Sequence, residues 1–171
     1  MPKPEAITHL ILHITAAPWG TVESVRAFHI APKPLGRGWL DIGYHYLITN
    51  PFPTFESWRE KKPIPDHDGQ VRDGRDLDHD GDVDEETGAH ARGWNWKSLG
   101  IAMVGENGML TGLQLQGALS LCRDLAHRYE VPYSNVIGHY ETGANKTCPD
   151  LDMSHFRELM QRTGALDRSG F

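Results

Sequence analysis

The sequence predicts an α/β fold, a single domain in which a central mixed β-sheet is flanked by α-helices. Three observations carry that expectation: branched apolar runs at residues 7–14 (ITHLILHI) and 99–104 (LGIAMV), an aromatic and β-branched run at residues 44–49 (YHYLIT), and a helical apolar stripe at residues 111–129. Runs of strand type alternating with helix type are the pattern of layered α/β domains. At 171 residues the chain has the length of one domain, and 39% apolar residues can bury a sizeable core.

In chain order, residues 7–14 read as a buried strand that ends before Thr15-Ala16-Ala17-Pro18, with His13 near its end. Thr21 can cap a helix through about residue 30, because Val22, Val25 and Phe28 recur every three residues. The Pro- and Gly-rich residues 31–38 form a loop. Residues 44–49 make a second strand and 99–104 a third, with no convincing regular element in the polar stretch 50–95 between them. Along residues 111–129, Leu115, Ala118, Leu119, Cys122, Leu125, Ala126 and Tyr129 fall on one helical face, which makes Cys122 a packing residue. Residues 135–138 form a short strand leading to His139, and Ser154 is positioned to cap a last helix with Phe156, Leu159 and Met160 inward.

The net charge is −6, opposite in sign to the basic surplus of nucleic-acid binders, so nucleic acid is not the expected partner. No apolar run is long enough to span a membrane, and the first residues, MPKPE, do not read as a signal peptide. Synthesis in the cytoplasm is therefore expected. Two cysteines are too few for a disulfide framework.

The charge is concentrated. Residues 66–86 hold ten of the 23 acidic residues against Arg72 and Arg75, which leaves a net of +2 elsewhere. Within this insert, spanning residues 66–87, Asp76, Asp78 and Asp80 stand at positions 1, 3 and 5 of an EF-hand-type calcium loop, followed by Gly81, Asp82 and Asp84 at positions 6, 7 and 9. The usual final glutamate is replaced by Thr87. Two readings stand: a structural calcium held by Asp76, Asp78, Asp80, Asp84 and the Asp82 carbonyl, bracing the segment that follows, or a solvated acidic loop.

Ten histidines are present, and context separates them. His13 and His139 stand at predicted strand ends, and Cys148 follows nine residues after His139 in Thr147-Cys148-Pro149. Two imidazoles and a thiolate are ligand types that zinc favours, and three protein ligands with an open fourth position mark a catalytic site. His9 shares the strand face of His13 and could support it. His45 lies opposite Tyr44 by strand alternation and is assigned to packing or support, and His29 is assigned to its helix.

At these residues the chain resembles the zinc-dependent N-acetylmuramoyl-L-alanine amidases of the phage-lysozyme type, relatives of the peptidoglycan recognition proteins. Leu12-His13-Ile14-Thr15-Ala16 is similar to the family's first ligand strand, and Asp41-Ile42-Gly43-Tyr44-His45-Tyr46 to its GYH strand. Gly88-Ala89-His90-Ala91 with Trp94-Asn95, Ser98-Leu99-Gly100-Ile101 and Val104-Gly105 resembles its groove segment, and Ile137-Gly138-His139 with Lys146-Thr147-Cys148-Pro149 its remaining ligands. The resemblance implies one catalytic amidase domain that binds zinc through His13, His139 and Cys148, with water in the fourth position. It implies Tyr44 and Lys146 as the assisting groups, and His90 and Asn95 as residues of the substrate groove. The implied reaction is hydrolysis of the amide between N-acetylmuramic acid and L-alanine in peptidoglycan. Separately from the resemblance, a monomer is expected.

A phage endolysin reaching the wall through a membrane lesion is the economical biology. A bacterial amidase or antibacterial effector exported by a non-classical route would share the chemistry. The alternative class is a non-catalytic peptidoglycan-binding module, disfavoured by the presence of Cys148, Tyr44 and Lys146 together.

Overall fold

The computed structural model describes residues 6–166, so the first five residues, on which the signal-peptide reading rests, lie outside the described residues. The chain runs β1 (His9–Ile14), α1 (Val22–Ile30), β2 (Tyr46–Ile48), α2 (Phe55–Arg59), β3 (Val71–Asp73), β4 (Ser98–Met103), α3 (Gly112–Arg128), β5 (Val136–Gly138) and α4 (Met153–Leu166), with short 3-10 turns between. One mixed sheet has the order β3-β2-β4-β1-β5. Its four inner and far strands are parallel, and β3 alone is antiparallel, paired to β2. The predicted α/β class and mixed sheet are therefore what the chain adopts.

The apolar runs of β1 and β4 mark central parallel strands buried on both faces. On one face Leu10, Leu12, Tyr46, Ile48, Leu99, Ile101 and Met103 pack against Ala118, Cys122, Leu125 and Ala126 of α3 and Met153, Phe156 and Met160 of α4. The other face is covered more thinly: Leu47 and Ala102 meet Val22 and Val25 of α1, while Ile11 and Ile137 meet Ala91 and Trp94. His13, two residues beyond Ile11, belongs to this second face.

Local chemistry explains the helix starts. Thr21 caps α1 through a reciprocal box with Ser24, and Thr111 caps α3 through one with Gln114. The last helix differs from expectation: it begins at Met153, and Asp152 Oδ1 accepts from His155 N at 3.1 Å, so Asp152 rather than Ser154 supplies the cap.

The expected second strand is also shorter, because regular pairing starts only at Tyr46. The polar stretch 50–95, expected to hold no regular element, contains α2 and β3. Both are too short to show periodicity. Helix α2 is nucleated by a Thr54–Ser57 capping box and buries no residue, and β3 is an exposed edge strand held by its register with β2.

Gln114 joins the layers. Wholly buried in the first turn of α3, it donates from Nε2 to Val104 O at 2.8 Å and Ile48 O at 3.2 Å. Ile48 O also receives Val104 N, so the Val104 carbonyl depends most on this amide. Replacing Gln114 by Leu leaves a buried acceptor unpaired, and urea unfolding should record a loss of about 1–3 kcal/mol.

Candidate active site and metal centre

Parallel pairing sets Leu12 of β1 against Gly138 of β5, so His13 and His139 leave neighbouring strands side by side, their ring centroids 4.5 Å apart. Gly138 also lets the return loop close over β5: a Cβ there would sit 2.8 Å from Pro149 Cδ and 2.9 Å from Met153 Cγ. The loop is tied down by Tyr140 N donating to Cys148 O at 2.9 Å and by Ile14 N donating to Cys148 Sγ at 3.3 Å. One ligating atom from each of His13, His139 and Cys148 then lies within 4.8 Å of the other two.

These donors fit zinc. A tetrahedral ion with bonds of about 2.0–2.3 Å sets its ligand atoms roughly 3.5 Å apart, and His13 Nδ1 stands 3.9 Å from Cys148 Sγ. Burial holds the His13 imidazole well below its ordinary pKa, helped by His90, His139 and Lys146, so it is neutral and able to ligate. Burial and Lys146 lower His139 in the same way. Burial pushes the Cys148 thiol up, while the Ile14 amide and the Lys146 ammonium draw it back toward the thiolate.

The cluster opens into a groove of about 1140 Å³, whose walls include Tyr44, His90, Asn95 and Lys146. The Tyr44 ring centroid lies 5.2 Å from that of His13. Burial, then the neighbouring Cys148, raise its phenol well above the usual value, so Tyr44 is a neutral hydroxyl. Lys146 is exposed on the rim.

His90 and Asn95 line the groove as expected, but both also hold structure. His90 Nδ1 is 3.0 Å from His13 Nε2, and Asn95 Oδ1 accepts from the backbone N of His90 and Ala91 at 2.9 Å each. His45 supports this wall, as assigned, yet not from the opposite face to Tyr44. With no regular strand before Tyr46, alternation does not apply, and the His45 ring packs 5.5 Å from His90. His9 stacks edge-on against Trp94 at 4.9 Å. His29 accepts from Gly43 N at 3.0 Å and lines the groove. Sequence reading passed over Arg37 and Trp39, also on the groove wall, because they sit in a loop without motif or periodicity.

The acidic insert departs from the five-ligand calcium arrangement. Asp84 is turned into the body, where Oδ1 accepts from Tyr46 Oη at 2.5 Å and Oδ2 accepts from Tyr129 Oη at 2.5 Å and Arg128 Nη1 at 2.9 Å. It anchors the insert to β2 and α3 and lies outside the groups of carboxylates that converge. Asp82 caps the turn at Val83–Glu85 through its side chain. The carboxylates that do converge are Asp76, Asp78 and Glu86, and separately Asp78, Asp80 and Glu85.

Neutral buried imidazoles couple stability to pH. His45 Nδ1 accepts from Gly100 N at 2.9 Å and Nε2 donates to the Glu86 carbonyl at 2.9 Å, and burial lowers its pKa to about 4. Its contribution is complete above the unfolded value near 6.5 and is lost as pH falls from there toward 4. A shift of that size corresponds to roughly 3 kcal/mol. His13 and His90, lowered by burial first, act in the same direction. Urea unfolding of the metal-free protein should therefore show stability falling steeply between about pH 6.5 and pH 4.5, and a flat profile would contradict neutral burial of these rings.

Comparison with known proteins agrees with this geometry. The N-acetylmuramoyl-L-alanine amidase family matches residues 3–150. The chain is 29% identical over 164 residues to the endolysin of Enterobacteria phage T3, covering 91% of this chain and 89% of that one. It is 30% identical over 129 residues to the endolysin of Escherichia phage T7, covering 71% and 68%. The fold matches that of N-acetylmuramoyl-L-alanine amidase LysC from Clostridium intestinale URNW with a TM-score of 0.68, at 21% identity over 91% of this chain and 85% of that chain. With a match that spans most of its length and takes in all three converging ligands, this chain belongs to the N-acetylmuramoyl-L-alanine amidase family.

Proposed function

We propose that this chain is a zinc-dependent amidase that hydrolyses the bond between N-acetylmuramic acid and L-alanine in bacterial peptidoglycan, and that it serves as a phage endolysin. The observation that carries the reading is the convergence of His13, His139 and Cys148 at a groove that also presents Tyr44 and Lys146. A binding module would not need Cys148 among the ligands. Phage endolysins among its relatives favour the lytic role over a bacterial effector. No helix among the described residues is long and apolar enough to cross a membrane, so in this reading passage to the wall depends on another agent.

Zinc, when bound, supplies Lewis acidity toward water and the scissile carbonyl. The chain's own groups then divide the remaining work. His13 and His139, neutral through burial, and the Cys148 sulfur, which would bind as the thiolate after giving up its proton, would hold the ion with one negative charge among them. Lys146, a cation at the groove rim whose field already lowers His13 and His139, is placed to stabilise negative charge growing on the carbonyl oxygen. Tyr44, held as a neutral hydroxyl, can accept a proton's hydrogen bond from the attacking water while donating its own, and it cannot act as a phenolate base. The acidic insert braces the wall behind them, through the Asp84 anchor and the Glu86 carbonyl that receives His45.

Mass analysis of digested peptidoglycan tests the reading. The wild-type protein should release intact stem peptides beginning at L-alanine, and a zinc chelator should stop their release. Cys148→Ser, His13→Ala and His139→Ala should each lose both activity and zinc; full activity in Cys148→Ser would sink the proposal. Tyr44→Phe and Lys146→Ala should keep one zinc per chain and lose about 10²–10³-fold in kcat, since they act on the transition state. Loss of zinc in either would make that residue structural instead.

A further inference from the structure

Behind the ligand cluster, three buried side chains form an ordered hydrogen-bonded line. His13 Nδ1 faces Cys148 Sγ, and its other nitrogen, Nε2, is 3.0 Å from His90 Nδ1. His90 Nε2 is 3.4 Å from Ser98 Oγ, and Ser98 Oγ donates to the Trp94 carbonyl at 2.7 Å. His13, His90 and Ser98 are 1%, 7% and 1% exposed.

The direction of every proton in this line follows from its far end. A carbonyl only accepts, so the single hydroxyl proton of Ser98 is committed to Trp94 O. Ser98 Oγ can then only accept from His90, which places the His90 proton on Nε2 and its lone pair on Nδ1. That lone pair accepts from His13 Nε2–H. A neutral His13 with its proton on Nε2 presents a bare Nδ1 to the Cys148 side.

We propose that His90 and Ser98 are positioning residues that fix His13 as its Nε2–H tautomer, so that the nitrogen facing the metal site is unprotonated before an ion arrives. The inference rests on the zinc-centre reading above. Packing holds the His90 ring in the orientation required. A Cβ on Gly100 would lie 2.5–2.8 Å from three atoms of the ring, and one on Gly88 would lie 2.5 Å from His90 Cδ2 and 2.7 Å from His45 Cε1. Asn95 Oδ1 clamps the backbone of His90 and Ala91. The line gives two glycines, one serine and one asparagine of the wall a common purpose.

Two measurements on the full chain test it. Long-range proton–nitrogen NMR of the metal-free protein should show His13 protonated on Nε2 alone in the wild type, and a mixture of tautomers in Ser98→Ala. Zinc affinity, read by competition with a chromophoric chelator, should weaken about 10–100-fold in His90→Leu. It should recover to within several-fold in His90→Asn, whose Oδ1 replaces the accepting Nδ1. Thermal melts of the metal-free variants confirm that each is folded, and Ser98→Ala carries the test if His90→Leu is not. A His13 proton on Nδ1 in the wild type, or undiminished zinc affinity in folded His90→Leu, overturns the proposal. Failure of the wild type itself to take up zinc overturns the metal-centre reading and this proposal with it.

Discussion

Parallel pairing of β1 with both β4 and β5 determines what the site can be. Because Leu12 lies opposite Gly138, His13 within β1 and His139, which opens the 3-10 turn directly after β5, emerge together, and the two imidazoles need no long side chain or flexible loop to meet. On the other flank, His13 is in register with Ala102 of β4, a residue small enough to leave room beside the ring. The strands are held in turn by the core beneath, where Leu10, Leu12, Leu99 and Ile101 pack on α3 and α4. Side chains built on sheet strands are placed more precisely than those on loops, which suits a metal centre.

Only the third ligand comes from a loop, and the structure compensates with close packing. Gly138 removes the side chain that would hold Pro149 away, and two backbone N–H groups, from Ile14 and Tyr140, engage Cys148 at its sulfur and its carbonyl. The turn that carries Cys148 is thereby seated directly on β5 and tied to the end of β1. The same device appears across the groove, where Gly88 and Gly100 admit the His90 ring. Small residues here serve their neighbours' side chains rather than their own conformations.

What was legible in the sequence follows the length of each signal. The runs in β1 and β4 and the stripe along α3 are long and strongly patterned, and their elements came out close to expectation. Helix α2 and strand β3, of five and three residues, exist through a capping box and a register that no hydrophobic period announces. His13 and His139 stand out at the ends of predicted strands, whereas Cys148 is singled out by the resemblance carried in Lys146-Thr147-Cys148-Pro149. The placement of Asp84 is illegible for a different reason: a loop motif reports spacing, and nothing in it could reveal that Tyr46, Tyr129 and Arg128 would converge on that carboxylate from β2 and the end of α3. Tyr44 and His45 share a side because alternation presumes a strand that starts two residues later.

The outer strands bear on behaviour at high concentration. An open sheet edge offers unpaired backbone groups to any neighbouring chain, and long flat edges invite fibrous or amorphous association. Here β3 is three residues long and carries Arg72 and Asp73, while β5, also three residues long, is flanked by the Tyr133–Asn135 turn and by Asn135 Nδ2 donating to Thr8 O at 3.0 Å. Short, charge-bearing borders of this kind offer a neighbouring chain little unpaired backbone to extend.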